Sequence, residues 1–550
     1  MWAKLNRVKL GDVETFWAEG PSPLTAALTF RVGTIDETVP FRGITHMVEH
    51  LALQSLGRQA FSYNGMVDTL RTTFFATGTE AEIAQFIGAV SAGLRSLPLD
   101  RLEHERKILL TEAERQVSGP LDWALAMRYG PRGPGLAPQE EYGLHRVSAE
   151  DIAEWAGRHF CAENVLLWVS GAPPDTLRLD LPLGGQRLAT RHVDPVPMKL
   201  PAWYEVGDRG FTLTSIVERS SAASALRSVL EHRLETDLRY ERGISYETGA
   251  VYAPIGRDTA VQAIITDTLK QNFDQARDAA LATVDDVAAK GPTGEELDRY
   301  VAEMERAWTE PAAVPAILDS LAVSYLLNPD DIQRDVIEEA RAIKPAEVQE
   351  AADRFRSGVV AGVPVGSSMP KRYHRIPDGS ENKVKGKTYR PARRSETAMT
   401  HHRLVQGDAG ITLIQERGRF VTVYYDSCEG LIQWKDGLRV VLGSDGFMLR
   451  IHPNDWSNGK KVVAELDRRL GDRGVEMRTD PPPHASARWS SGTHLKWALA
   501  SAFFGLGAVA NLFDPEYQSD GTWVVFLLMA LVLVPLCLYN LRRWYVSRKT

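Results

Sequence analysis

The sequence predicts the α+β fold class, with two α+β domains of similar design, a small β-rich module and a C-terminal hairpin of two transmembrane helices. Three observations predict it. The chain has 550 residues, which is too long for one domain because single cores stop growing near ~250–300 residues. Alternating apolar segments, typical of strands, are mixed with apolar residues at three- and four-residue intervals, typical of helices. Two uncharged apolar runs lie close to the C-terminus.

The composition excludes several classes of protein. Hydrophobic residues make up 44% and charged residues 25%, as in average globular proteins. The net charge of -7 provides no basic field, so nucleic acid is not expected as a partner. The three cysteines are far apart, which excludes a thiolate zinc site and gives no sign of a disulfide framework. No apolar segment of the signal-peptide kind opens the chain, so we expect no secretory signal.

Residues 1–185 are expected to form the first α+β domain. Strands alternate over residues 7–35, and a helix should begin near Arg42. Apolar periodicity predicts further helices at 80–97 and 100–116. Ser148 has the position of a helix N-cap, and an apolar strand follows at about 164–170.

Residues 200–366 are expected to form a second α+β domain. Patterning predicts two of its strands and four of its helices, near residues 211–217 and 249–252 for the strands and 222–240, 269–289, 293–308 and 345–355 for the helices. The last of these helices repeats the position of the helix at 149–160. Two halves of one design are therefore expected, although the sequence identity between them is too low to prove a repeat.

The remainder is divided into a linker, a module and a membrane hairpin. Residues 367–400 are rich in Lys, Arg, Pro and Ser and are expected to be a solvated linker. Residues 401–480 contain short strands at regular spacing and then a helix from Asn458, which resembles a pleckstrin-homology-like module in topology. Residues 495–541 contain the two apolar runs, 497–513 and 522–540.

Each apolar run is long enough to cross a thin bilayer, at ~1.5 Å per residue. Basic residues flank the hairpin, including Lys496, Arg542 and Arg543, and its connecting segment is acidic. The positive-inside rule then places both termini in the cytoplasm, which predicts a multi-pass protein of the cell membrane with cytoplasmic domains. A buried helical hairpin is the alternative.

The chemistry is expected at His46, Glu49 and His50, which form an H-x-x-E-H motif. On a helix, residues four apart share a face, so both imidazoles can bind one metal ion with Glu49 beside them. Zinc lowers the pKa of a bound water to ~7, and an adjacent carboxylate can act as general base. A catalytic zinc also needs a third protein ligand, for which the helix at 100–116 offers several glutamates.

The segment from Glu105 to Glu112 resembles the downstream element of the pitrilysin/insulinase family of zinc peptidases, in which two glutamates seven residues apart follow the H-x-x-E-H helix. The resemblance implies one Zn2+ per chain, with Glu112 as the third ligand and Glu105 orienting a ligand. It also implies that Asn64, at the place of the family's Asn-Ala turn, contacts the backbone of the substrate.

The resemblance continues in residues 238–246, where Arg239 and Tyr246 are spaced like the family's arginine–tyrosine element. It implies that Arg239 binds substrate carbonyls and that Tyr246 stabilises the tetrahedral oxyanion. Family enzymes that close around the substrate use four such domains, whereas this chain has two. A homodimer or a heterodimer of paralogues is therefore expected, in which one chain completes the site of the other.

These observations favour a membrane-anchored zinc endopeptidase that acts on peptides or unfolded protein segments. A non-catalytic scaffold subunit of a membrane complex is the alternative, because the family includes members that have lost the metal. In a third hypothesis the β-rich module and the hairpin carry the function, and the peptidase half is a binding platform.

Overall fold

The computed structural model describes residues 5–481 apart from 114–117, 186, 208, 209, 334, 394, 396 and 397. Within this range helices and four β-sheets alternate, which confirms the α+β class. The expected membrane hairpin at 495–541 lies outside the described residues. Among the residues described, no single helix is long and apolar enough to cross a bilayer. Two consecutive helical segments, Gly294–Thr309 and Pro311–Leu327, are long and apolar enough only when they are taken together, and their axes are bent by 84°.

The first sheet has six strands in the order β1-β2-β6-β3-β5-β4. Its strands are β1 (Asn6–Leu10), β2 (Val13–Trp17), β3 (Leu24–Phe30), β4 (Ser62–Val67), β5 (Thr72–Gly78) and β6 (Val165–Val169). The accompanying helices are α1 (Ile44–Leu53), α2 (Glu80–Arg95), α3 (Leu102–Ala113), α4 (Pro120–Tyr129) and α5 (Ala149–His159). A core that includes Met47, Phe74, Phe86 and Phe160 packs α1, α2 and α5 against the sheet. This packing fixes α1, which carries the H-x-x-E-H motif.

The second sheet has six strands in the order β12-β7-β11-β8-β10-β9. Its strands are β7 (Ala202–Glu205), β8 (Phe211–Glu218), β9 (Ser245–Pro254), β10 (Thr259–Thr268), β11 (Val360–Val363) and β12 (His374–Arg375). The helices are α6 (Ser221–Leu234), α7 (Phe273–Lys290), α8 (Gly294–Thr309), α9 (Val314–Leu327), α10 (Val336–Ala342) and α11 (Pro345–Ser357). A π-helical segment, Glu235–Glu241, continues α6.

Five strands of each sheet share one topology, and the sixth strands differ, because β1 is antiparallel to β2 whereas β12 is parallel to β7. In the first, β2 and β6 are parallel and β3, β5 and β4 follow as antiparallel neighbours. In the second, β7 and β11 are parallel and β8, β10 and β9 follow in the same way. Helix α6 therefore has the chain position that α1 has in the first half. It has no histidine pair, so only the first half carries the motif.

Helix α9 connects the two halves by covering the outer face of the first sheet. Its apolar residues, among them Leu318 and Ala322, pack against Phe16 and Trp168. Asp319 accepts a bidentate ion pair from Arg71 at 2.7 and 2.8 Å. This helix was not expected from the sequence.

The β-rich module consists of two four-stranded sheets and one helix. The first sheet contains β13 (Lys387–Tyr389), β14 (Arg403–Gln406), β15 (Gly410–Ile414) and β16 (Phe420–Tyr424). The second contains β17 (Cys428–Gln433), β18 (Arg439–Gly443), β19 (Met448–Ile451) and β20 (Gly474–Glu476), and α12 (Gly459–Leu470) precedes β20. One apolar core draws residues from both sheets and from α12.

The segment 367–400 differs from the expected solvated linker. It supplies β12 to the second sheet and β13 to the module. The side chains of Tyr373, Val384 and Tyr389 are buried. The few apolar residues of this polar segment are therefore enough to attach it to both neighbours.

The module packs against the first half at a defined junction. Val39 and Leu136 share an apolar cluster with module residues that include Trp434 and Met477. Beside this cluster, the backbone N–H of Arg478 donates to Nδ1 of His145 at 3.1 Å. Burial lowers the pKa of His145 to about 4, with Arg478 and Arg106 adding to the effect, so the imidazole is neutral and can accept this bond. The junction thus fixes the loop that precedes α5.

Candidate active site

The N-terminus of α1 is held by a buried carboxylate. Glu37 accepts hydrogen bonds from the backbone N–H groups of Gly43 and Thr45 at 3.1 and 3.0 Å. These groups have no partner within the helix, so Glu37 replaces a conventional N-cap. Arg42 donates to Glu37 at 3.0 Å. The start of the motif helix is therefore fixed by side chains from outside it.

His46 and His50 lie on one face of α1, as the spacing predicts. Their ring centroids are 4.9 Å apart. The Nε2 atom of each imidazole lies 3.8 Å from Oε2 of Glu49. The nitrogen and oxygen donors of the three residues all lie within 4.8 Å of one another, and together they could hold a metal ion.

Each imidazole is bonded on its other nitrogen by a buried carboxylate. Nδ1 of His46 lies 3.2 Å from both oxygens of Glu141. Nδ1 of His50 lies 3.3 Å from Oε2 of Glu105, whose other oxygen accepts a bond from Gln54. A neutral histidine that donates a hydrogen bond from Nδ1–H to a carboxylate has its lone pair on Nε2, which is the arrangement found at zinc sites. The donor set therefore fits a zinc ion.

Glu112 is on α3, and its Oε2 lies 3.7 Å from Nε2 of His50. Ligand atoms around a tetrahedral zinc with bonds of ~2.0–2.2 Å lie about 3.3–3.6 Å apart. Glu112 is thus within a small side-chain adjustment of a shared ion with His50. Its side chain is 57% exposed, which leaves it free to make that adjustment.

Glu49 lies between the histidines and strand β4. A Cβ atom at Gly65 would lie 1.9 Å from its Oε1, so this conformation of the carboxylate requires glycine at that position. Burial raises the pKa of Glu49, and the two adjacent imidazoles oppose this shift. A carboxylate with a raised pKa is suited to accept a proton near neutral pH.

The pKa of His46 is also shifted. Burial lowers it, but the hydrogen bond and charge of Glu141, with the charges of Glu49 and Glu112, raise it further, to about 9. In the metal-free protein His46 therefore carries a proton at pH 7.

Zinc must displace this proton, so the apparent zinc affinity should increase by about tenfold per pH unit from pH 7 towards pH 9 and level off above it. The apparent zinc affinity can be measured by competition with a chromophoric chelator at a series of pH values. The variant His192→Gln, which changes an exposed histidine, should keep the same pH dependence. An affinity unchanged between pH 7 and 8 would contradict the prediction.

Asn64 is exposed on β4, which lies at the end of the first sheet. It belongs to a strand rather than to the expected turn. Among the described strands, β4 pairs only with β5. One edge of β4 is therefore open, next to the helix that carries Glu49.

Arg239 and Tyr246 lie in the second half, on the π-helical segment and at the start of β9. The guanidinium of Arg239 lies 5.3 Å from the ring of Tyr240 and 5.7 Å from that of Tyr246. It also pairs with Glu235 at 3.0 Å. Tyr246 is 80% exposed. In the described part of the chain, the ring contacts and ion pair of Arg239 are with Tyr240, Tyr246 and Glu235, and none of them joins it to α1.

Sequence reasoning missed Glu141 and the two residues that support it, Arg42 and Glu37. Glu141 follows Glu140 in an irregular loop, where periodicity says nothing about which carboxylate is buried. The sequence did contain one indication of a buried ionic cluster, which is that the charged residues Glu37 and Arg42 come just before the motif helix. Buried charged residues at that place need partners.

Comparison with known proteins gives no match to any protein-family model and none to the curated proteins. Solved structures do match. A protease from Helicobacter pylori has a TM-score of 0.56 at 16% identity, covering 66% of this chain and 100% of its own. A peptidase M16 inactive domain from Pseudomonas fluorescens has a TM-score of 0.54 at 14% identity, with the same coverage of both chains. The chain has an M16 peptidase-like fold.

Pitrilysin matches with a TM-score of 0.52 at 14% identity, covering 69% of this chain and 46% of the pitrilysin chain. The fold implied by the resemblance to pitrilysin is thus confirmed. This chain matches about half of that peptidase, in agreement with the two repeated halves described above.

Proposed function

We propose that the protein is a zinc-dependent endopeptidase that cleaves peptides or unfolded protein segments. The observation that carries the proposal is the pair of imidazoles whose Nδ1 atoms are bonded to buried carboxylates while their Nε2 atoms flank Glu49. A helix that only packed its histidines would not need two carboxylates behind them.

His46, His50 and Glu112 would hold the metal, and Zn2+ is favoured by the mixture of imidazole and carboxylate donors. When bound, zinc activates water for attack at neutral pH and polarises the scissile carbonyl. Glu49 accepts the proton of the attacking water and transfers it to the leaving amine. Burial, which raises the pKa of Glu49, suits both steps. Glu105 holds the ring of His50.

The open edge of β4 is the proposed binding place for the substrate. An extended peptide can add to an open strand through main-chain hydrogen bonds, and Asn64 would contact its backbone there. Gly65 brings this edge directly against Glu49. Because a folded domain rarely exposes an extended free strand, the proposed substrates are peptides and unfolded segments.

The location at a membrane is a further part of the proposal, and it rests on the sequence of residues 495–541. Their apolar runs and basic flanks support a multi-pass anchor with both termini and the peptidase half in the cytoplasm.

The test uses the full-length protein in mild detergent. Metal analysis should find one zinc per chain. The protein should cleave a disulfide-containing polypeptide after reduction and alkylation, which keep it unfolded, but should not cleave the same polypeptide in its native, disulfide-bonded form. A chelator should abolish cleavage, and added zinc should restore it.

The alternative is a non-catalytic scaffold subunit. One observation favours it, because one of the similar solved structures is a peptidase M16 inactive domain. Zinc-loaded protein that cleaves none of a broad panel of unfolded polypeptides would favour this alternative. Protein that binds no zinc would overturn the metal site itself.

A further inference from the structure

Glu141 is a charged residue in the interior that the proposed chemistry does not use directly. Its side chain is 5% exposed. Both of its oxygens lie 3.2 Å from Nδ1 of His46. It is far from α1 in sequence, in the loop between two short 3-10 helices, Gly133–Leu136 and Tyr142–His145.

A chain of buried charges connects Glu141 to the start of α1. Nη1 of Arg42 lies 3.4 Å from Oε1 of Glu141 and 3.0 Å from Oε2 of Glu37. Glu37 in turn accepts the N–H groups of Gly43 and Thr45. These contacts form a closed ring, from the first turn of α1 through Glu37, Arg42 and Glu141 back to α1 at His46.

The loop that carries Glu141 is also fixed from outside. Leu136, before it, packs in the apolar cluster formed with the β-rich module, and its carbonyl accepts a bond from Nε of Arg42 at 3.3 Å. His145, after it, accepts the backbone N–H of Arg478 from the module. Both ends of the loop are therefore anchored, and the carboxylate between them has a defined position.

We propose that Glu141 is a positioning residue of the metal site, which holds His46 with the proton on Nδ1 and with Nε2 directed at the metal. The proposal rests on the metal site of the proposed function and adds a residue that the resemblance to pitrilysin did not supply. It makes the support of the two imidazoles symmetrical, with Glu141 behind His46 and Glu105 behind His50.

The charge of Glu141 matters as well as its place. The guanidinium of Arg42, with Nη1 3.4 Å from Oε1, is the cationic partner of this buried carboxylate. An ionised carboxylate can only accept a hydrogen bond, so it selects the tautomer protonated at Nδ1. A glutamine could instead donate to Nδ1, which would move the ring proton to Nε2 and block the ligand atom.

The experiment compares Glu141→Gln with Glu140→Gln in the full-length protein. Glu140 is the adjacent residue and is exposed, so its variant makes the same chemical change without touching His46. Zinc affinity is measured by competition with a chelator, and site geometry by the visible absorption of the Co2+-substituted protein. Glu141→Gln should bind zinc about 10–100-fold more weakly and change the Co2+ spectrum, and Glu140→Gln should match the wild type in both.

The outcomes separate this proposal from the function it rests on. Wild-type protein that binds no zinc would overturn the proposed function. Wild-type binding together with an unchanged affinity and spectrum in Glu141→Gln would overturn the role of Glu141 and leave the metal site in place.

If Glu141→Gln does not fold, the proposal can be tested by NMR of the zinc-bound wild-type protein with 15N-labelled histidines, which shows which ring nitrogen carries the proton. Both metal-bound histidines should carry their proton on Nδ1 and be coordinated through Nε2. A histidine coordinated through Nδ1 would overturn the proposal.

Discussion

Replacement of Glu49 by glutamine is expected to lower the rate of peptide cleavage by about 10²–10⁴-fold, the usual contribution of a general base. Glutamine has the shape of glutamate but cannot accept the proton of the attacking water. The metal should remain bound, because the proposed ligands are His46, His50 and Glu112. Loss of activity with full zinc content would therefore assign the proton transfer to Glu49.

The measurement is kcat/KM on a fluorogenic unfolded polypeptide, with zinc content determined on the same sample. The matched control is Glu154→Gln, which makes the same change at an exposed position of α5 and should leave the rate near that of the wild type. Cleavage by Glu49→Gln at the wild-type rate would contradict the role of base. A parallel loss of zinc would show that Glu49 is needed for metal binding instead.

The sequence was sufficient to indicate which residues of α1 and α3 come together at the candidate metal site. Helical periodicity puts His46 and His50 on one face and puts Glu105 in register with Glu112, and the structure has all four around α1 and α3. Spacing along the chain is enough to predict these positions, because the two histidines lie on one helix and the two glutamates lie on another. The expected helix at 100–116 is described as far as Ala113, and its last residues lie outside the described range.

Features that depend on contacts far apart in the chain could not be predicted in this way. Glu141 lies 95 residues from His46 and has no helical register with it. Helix α9 was missed because its apolar residues leave almost no amphipathic pattern: it packs against the back of the first sheet, a surface that appears only when the fold is complete. The repeat of the two halves is visible in their strand order. Very different sequences can adopt the same strand order, so the repeat could not be proved from sequence identity.

The positions of Arg239 and Tyr246 lead to the second large prediction. Tyr240 and Tyr246 are 70% and 80% exposed, and Arg239 lies against both rings. A half-exposed arginine beside two exposed tyrosines forms a surface that can bind a peptide backbone. Since the contacts of Arg239 within the described part of the chain do not reach α1, we propose that it serves the metal site of a partner chain. The simplest partner is a second copy, in a symmetric dimer.

Two inactive variants should therefore restore activity when mixed. One is Glu49→Gln, which keeps the arginine–tyrosine surface, and the other is the double variant Arg239→Ala, Tyr246→Phe, which keeps the metal site. If subunits exchange freely, half of the dimers are mixed and each has one complete site, so activity should recover to about a quarter of the wild-type value. The measurement is cleavage of the unfolded polypeptide after co-incubation, with each variant alone as the control. Recovery would show that the site is shared between chains. Activity that stays at the level of the separate variants, although subunit exchange is demonstrated by a fluorescent label, would place both elements in the same chain and contradict the shared site.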